Sequence, residues 1–205
     1  MSLILRPSFL SLQHILNKPS TKHHFHQQLP RFIITPSYRK QQHHFFTSSP
    51  TTFKMSATDA TAKTFFSSPK FAVVGASTNT EKFGYKVFKW YADRDLPATP
   101  INPQGAALTV NGQSYPAIKS LSALESPKET SVSIITGPAI TLKTLQEAKE
   151  LGVPAVWLQP GTYNDEVLAY ANENFGTVVV GKGGWGGEGW CVLVDGERSL
   201  GAARL

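Results

Sequence analysis

KFAVVGASTN, residues 70–79, is a short apolar run that stops at a glycine and passes into small hydrogen-bonding residues. Phe71, Ala72, Val73 and Val74 suit a buried strand, and Gly75 directly after them suits a tight turn into a helix. Downstream, Phe83, Val87, Trp90 and Tyr91 recur at roughly helical spacing over residues 82–92. Ala98 to Ile101 reads as a second short strand between prolines. Residues 102–130 look irregular, with a turn at Asn111-Gly112, a Tyr115-Pro116 step and a brief helix over Leu121 to Leu124.

The pattern then repeats. Ser131 to Ile135 is strand-like, and Pro138 suits the first turn of a helix, where its missing N–H costs nothing. Leu142, Leu145, Ala148 and Leu151 line one face of that helix, and Gly152 stands where a C-terminal cap belongs. Ala155 to Leu158 is a fourth strand. Asn164 caps a further helix whose first turn carries Asp165 and Glu166, both favourable to its dipole, and Gly176 closes it. Thr177 to Val180 is a fifth strand, and Trp190 to Val194 predicts a short sixth. Strands alternating with helices of this length imply βαβ units and a parallel sheet, and right-handed crossovers leave few topologies. The expected fold is α/β and Rossmann-like: a doubly wound, mainly parallel five-stranded sheet with helices on both faces and a short extra C-terminal strand.

The charge is unevenly placed. The 205 residues carry a formal net charge of +6. Residues 1–58 hold seven basic residues, all six histidines and no acid, whereas residues 59–205 hold thirteen basic and fourteen acidic residues. The positive excess therefore belongs to a tail, which argues against a nucleic-acid-binding fold. One cysteine, Cys191, excludes an internal disulfide, and no run approaches the ~20 apolar residues of a membrane span. The predicted organisation is a basic leader over 1–58, a linker over 59–69 and one domain over 70–205. Leu3, Leu5, Phe9, Leu12, Ile15 and Leu16 among Arg6, His14 and Lys18 suit a basic amphipathic helix after Pro7, the composition of a mitochondrial transit peptide. This predicts a mitochondrial matrix protein. Met55, placed where the composition changes, offers an alternative start and a cytoplasmic form.

In a doubly wound sheet, ligands bind beyond the carboxyl ends of the strands, near the switch in strand order. The segments there are Gly75-Ala76-Ser77-Thr78-Asn79, Pro100-Ile101-Asn102-Pro103, Thr136-Gly137-Pro138 and Gln159-Pro160-Gly161. A glycine after strand one lets the backbone approach a phosphate, and the next helix offers free N–H groups. Ser77, Thr78 and Asn79 add side-chain hydrogen-bonding groups, and Lys82 and Lys86 add charge. The dinucleotide fingerprint G-x-G-x-x-G is absent, although Gly75 and Gly84 are present. Asn102 stands where NAD binding usually needs an acid on the ribose. An amide there suits an adenosine that already carries extra phosphate.

The stretch Val73-Val74-Gly75-Ala76-Ser77, then Glu81-Lys82-Phe83-Gly84, then Pro100-Ile101-Asn102-Pro103, resembles the coenzyme A-binding domain family. Tyr115-Pro116 and Val156-Trp157-Leu158-Gln159-Pro160-Gly161 resemble its stand-alone branch. The same domain opens the succinyl-CoA synthetase α subunit and the ADP-forming acyl-CoA synthetases. The resemblance runs from about Lys70 to Val180. It implies that Gly75, Ala76, Ser77, Thr78, Asn79 and the helix start at Gly84 hold the CoA phosphates. It places Asn102 and Pro103 against the adenosine or its phosphate, and Thr136, Gly137 and Pro138 near the pantetheine arm, with Gln159 on the same edge. Lys82 and Lys86 would pair with the anionic ligand.

Catalytic machinery is not legible. Ligases of that kind pass phosphate through a histidine, and this chain has none after His44. No Ser-His-Asp set, zinc spacing or pair of catalytic acids can be assembled. Cys191, flanked by Trp190, Val192 and Leu193, reads as an inert buried thiol. The expected activity is binding of CoA or acyl-CoA, a small polyphosphate ligand, by a carrier, sensor or partner subunit. The alternatives are an NAD(P)-binding oxidoreductase or redox sensor, and one subunit of a split CoA ligase; self-association into a homodimer stays open. The run Gly181 to Trp190, with six glycines in nine positions, reads either as a lid that brings Trp185 onto the ligand or as a connector whose tryptophans pack on the domain.

Overall fold

The computed structural model describes residues 59–182, 184–187 and 189–205. The predicted leader and the Met55 start lie outside the described residues, as do Gly183 and Glu188. Five strands form one parallel sheet: β1 (Lys70–Val74), β2 (Ala98–Ile101), β5 (Thr130–Ile134), β6 (Ala155–Leu158) and β7 (Thr177–Val179), in the order β2-β1-β5-β6-β7. The order reverses between β1 and β5, which opens a crevice at their carboxyl ends. The helices are α1 (Asp59–Phe65), α2 (Phe83–Ala92), α3 (Pro138–Glu150), α4 (Asp165–Asn174) and α5 (Val192–Ala203). Among the described residues no helix is long and apolar enough to cross a membrane.

The two-residue period of β1 divides the core. Phe71 and Val73 join one cluster with Phe65, Phe88, Tyr91, Trp157 and Leu200, on the face covered by α1, α2 and α5. Ala72 and Val74 join the other with Ile134, Leu145, Leu158, Val167 and Ala171, under α3 and α4. The predicted caps stand: Asn164 accepts from the Val167 N–H at 3.0 Å, and Gly152 takes a positive φ of 75° after α3.

Four expectations are corrected. Residues 59–65, read as part of a linker, form α1, because Ala62 and Phe65 fill the sheet face and Phe65 meets Trp157 edge-on at 5.4 Å. The irregular stretch contains a small antiparallel hairpin, β3 (Leu108–Val110) and β4 (Gln113–Tyr115), built on the expected Asn111-Gly112 turn. The sixth strand is instead the start of α5. Val192, Asp195, Gly196, Ser199 and Leu200 are buried at helical spacing, so the β-branched run is one turn of an amphipathic helix. Cys191 is half-buried at the N-cap of α5 and is not a core thiol.

Candidate functional site

Beyond the carboxyl ends of β1, β2, β5 and β6 lies a cleft of about 620 Å³. That volume falls within the roughly 300–1,000 Å³ of ordinary small-molecule sites. Its first wall is the β1–α2 connection. Gly75 has φ 90°, and a Cβ there would stand 2.7 Å from the Ile135 carbonyl oxygen. A Cβ on Gly84 would stand 2.0 Å from the Gly75 carbonyl oxygen. Gly75 thus lets the turn lie against the end of β5, and Gly84 lets the start of α2 settle directly onto the turn.

The N–H groups of this turn divide into two sets. Those of Gly75 and Ala76 donate to the Ile101 carbonyl at 3.0 and 3.2 Å, which ties the turn to β2. The Asn79 N–H donates to Ser77 Oγ, and the Glu81 N–H to Asn79 Oδ1. Among the described residues, the N–H groups of Ser77, Thr78, Phe83 and Gly84 take no acceptor from the protein. These are the donors left at the cleft wall and the helix start, an arrangement suited to an anion.

The second wall is the loop after β2. Asn102 is buried, and its side-chain amide closes that loop on itself: Nδ2 donates to the Ala106 carbonyl at 3.1 Å and Oδ1 accepts the Ala106 N–H at 3.2 Å. Pro103, Gln104 and Ala106 complete this wall. Opposite stand Ile135, Thr136 and Gly137 after β5, and Pro160, Gly161 and Thr162 after β6. Among the described residues no carboxylate lines the cleft, and Lys82 does. The ion pairs among the described residues, Lys89–Asp93, Arg94–Glu197 and Arg198–Asp59, leave Lys82 and Lys86 without an acidic partner. The local field therefore favours a negatively charged ligand.

A family model described as a CoA binding domain matches residues 69–189. The chain belongs to the CoA-binding domain family. The match spans every wall of the cleft. The domain is also similar to subunit alpha of the ADP-forming acetate–CoA ligase I of Pyrococcus furiosus, 31% identical over 94 residues. That alignment takes in 44% of this chain and 20% of the relative, so the chain spans about a fifth of the length of the ligase subunit. Among solved structures, a hypothetical protein from Pyrococcus horikoshii OT3 is 26% identical with a TM-score of 0.57, covering 70% of this chain and 93% of that one. A Thermus thermophilus protein shares the fold at 23% identity and a TM-score of 0.51, over 60% of this chain and 90% of that one.

Most of the residues expected to bind ligand converge in this CoA-binding domain. Gly75, Ala76, Ser77, Thr78, Lys82, Gly84, Asn102, Pro103, Thr136 and Gly137 all line the cleft. Four do not. Gln159 is fully buried: Nε2 donates to Ser133 Oγ and Oε1 accepts the Val192 N–H, both at 3.0 Å. Its amide locks β5, β6 and α5 together beneath the site, which corrects its assignment to the ligand. Asn79 spends its side chain on the Glu81 N–H, Pro138 opens α3 behind Gly137, and Lys86 lies outside the walls. Asn102 reaches the cleft, but its amide is committed to Ala106, so it shapes the loop that a ligand would meet. Of the residues at helical spacing in α2, Val87, Trp90 and Tyr91 are buried, together with Gly84 and Phe88, whereas Phe83 is 64% exposed and lines the cleft. Gln104, Ile135 and Thr162 carried no sequence signal beyond their neighbours.

The Gly/Trp run of the domain lies against α5. The Asp195 carboxylate, buried to 1% exposure, accepts the Trp185 N–H at 2.7 Å and the Cys191 N–H at 2.9 Å. Trp185 is 76% exposed, with the Arg198 guanidinium 5.1 Å from its ring centroid, and it is not among the cleft residues. Trp190 packs inward, where its carbonyl accepts the Trp157 Nε1–H at 3.0 Å. The connector reading fits this arrangement, in which Trp185 packs beside Arg198 and does not line the cleft.

Proposed function

We propose that this domain binds coenzyme A or an acyl-CoA in the β1/β5 crevice and carries out no bond-making step of its own. The observation that carries the reading is a carboxylate-free cleft in which unpaired N–H groups of the β1–α2 turn stand beside Lys82. An anion held by such donors gains charge-assisted hydrogen bonds, the stronger class of such bonds. Among the described residues lining the cleft there is no histidine, cysteine or acid to act as nucleophile or general base. The remaining lining is small or neutral, which suits an extended, uncharged pantetheine arm. The chain would then serve as a carrier, a sensor or a subunit that presents CoA to a separate catalytic partner.

Thermal denaturation of the full chain with CoA, dephospho-CoA, acetyl-CoA, NAD and NADP tests the reading. A ligand bound only by the native state stabilises by about 2.7 kcal/mol at a hundredfold excess over Kd. The expected result is a raised Tm with CoA and acetyl-CoA. A rise with NAD or NADP and none with any CoA overturns it.

A further inference from the structure

Phe83 does no packing work that explains its position. It opens α2, yet the buried face of that helix is made by Gly84, Val87, Phe88, Trp90 and Tyr91. The ring is 64% exposed and, among the described residues, is the sole aromatic lining the cleft. A charged group stands on each side of it in sequence. Lys82 lines the cleft beside it, and Lys86, one turn further on, holds its Nζ 5.7 Å from the ring centroid. That is cation–π range, and it leaves the ammonium free of any carboxylate.

An exposed aromatic ring between two ammonium groups matches one end of the ligand and not the other. The nucleotide end of CoA joins a flat base, through ribose, to phosphates at both the 3′ and 5′ positions. The pantetheine end is flexible, uncharged and has no ring to stack. We propose that Phe83 is the base-stacking residue of the cleft, flanked by Lys82 and Lys86 for the phosphates, so that the site selects a 3′-phosphorylated adenine nucleotide by its nucleotide end. This deepens the CoA reading and rests on it. It also gives Lys86 a role at the ring, although it stands outside the cleft walls.

The test is calorimetry on the full chain, on Phe83→Ala and on Phe83→Trp, with CoA, adenosine 3′,5′-bisphosphate and 4′-phosphopantetheine as probes. Base stacking on an aromatic residue predicts a loss of about tenfold in affinity when the ring is removed. Phe83→Ala should lose that factor for CoA and for the bisphosphate alike, keep its affinity for 4′-phosphopantetheine, and melt as the wild type does. Phe83→Trp should restore both losses. Unchanged nucleotide binding in Phe83→Ala, or an equal loss for 4′-phosphopantetheine, overturns the inference while leaving CoA binding intact. A wild-type chain that binds no CoA overturns the underlying reading, and with it this one.

Discussion

Two glycine-rich segments of this chain look alike in composition and behave differently. In the β1–α2 connection, Gly75 and Gly84 are required by backbone meeting backbone, and the turn they permit forms a wall of the cleft. In the 181–190 segment, Asp195 gathers the Trp185 and Cys191 N–H groups at the start of α5, and Trp157 Nε1 donates to the Trp190 carbonyl. The first arrangement leaves N–H groups open for a ligand. The second gives its Trp185, Trp190 and Cys191 N–H groups to the protein and does not line the cleft. Glycine content alone therefore does not mark a binding loop; what counts is whether the donors it leaves open stand at the cleft wall.

That contrast can be broken by mutation. The largest effect is expected for Gly84→Ala, whose Cβ would stand 2.0 Å from the Gly75 carbonyl oxygen. Forcing α2 off the turn should cost about 3 kcal/mol in urea denaturation and weaken CoA binding as well. Wild-type stability in that variant would show that the close approach is not required. Asp195→Ala comes next. It strips two N–H groups of a charged acceptor at a buried site, at a cost of about 2–3 kcal/mol. CoA affinity should hold, because the segment it anchors is not part of the cleft; a tenfold loss of affinity would return the 181–190 run to the site.

Lys82→Ala should do the reverse. Stability stays within about 0.5 kcal/mol, as for most surface substitutions, while CoA affinity falls about tenfold, the size of one charge-assisted contact. Equal CoA affinity in the variant would remove Lys82 from the site. A modest, pH-dependent stability effect belongs to Asp93, whose carboxyl is held below its usual range by the Lys89 ammonium, with Asn111 also bonding it. A lowered folded pKa stabilises above the unfolded value of about 3.9 and is lost as the pH falls through the folded value. Asp93→Asn should therefore cost under about 1 kcal/mol near pH 7 for so exposed a pair, and that difference should shrink below the unfolded value and vanish once the pH has fallen past the folded one. A difference that persists there would point to a role other than charge. For Trp185→Ala, neither CoA affinity nor melting should change measurably.

Much of the fold was legible because burial imposes a period. β1, β6 and α3 announce themselves by runs or spacings of apolar residues, and Gly152 and Asn164 mark where helices end and begin. The failures have local causes. Phe65-Phe66 sits at the end of a seven-residue helix, too short to show a period, although two adjacent phenylalanines were a signal that the segment packs. Val192-Leu193-Val194 reads as a strand by propensity, and tertiary burial at Asp195 and Ser199 overrides it. Within the site, the glycines and the small residues could be located from their place after each strand. The amides could not be assigned. Gln159 and Asn102 have the right chemistry for a ligand, and only the three-dimensional structure shows that their hydrogen bonds go to Ser133, Val192 and Ala106. Phe83 misleads for the converse reason: it shares the helical spacing of the buried Val87, Trp90 and Tyr91, yet stands exposed at the cleft.

The central claim is that CoA is held by the β1–α2 turn. Amide chemical shifts of the isotope-labelled chain, followed by NMR during titration with CoA, test it most directly. The account predicts the largest shifts at the N–H groups of Ser77, Thr78, Phe83 and Gly84, with Trp185 and Cys191 undisturbed. Shifts centred on residues 184–195, with the turn after β1 silent, would contradict it.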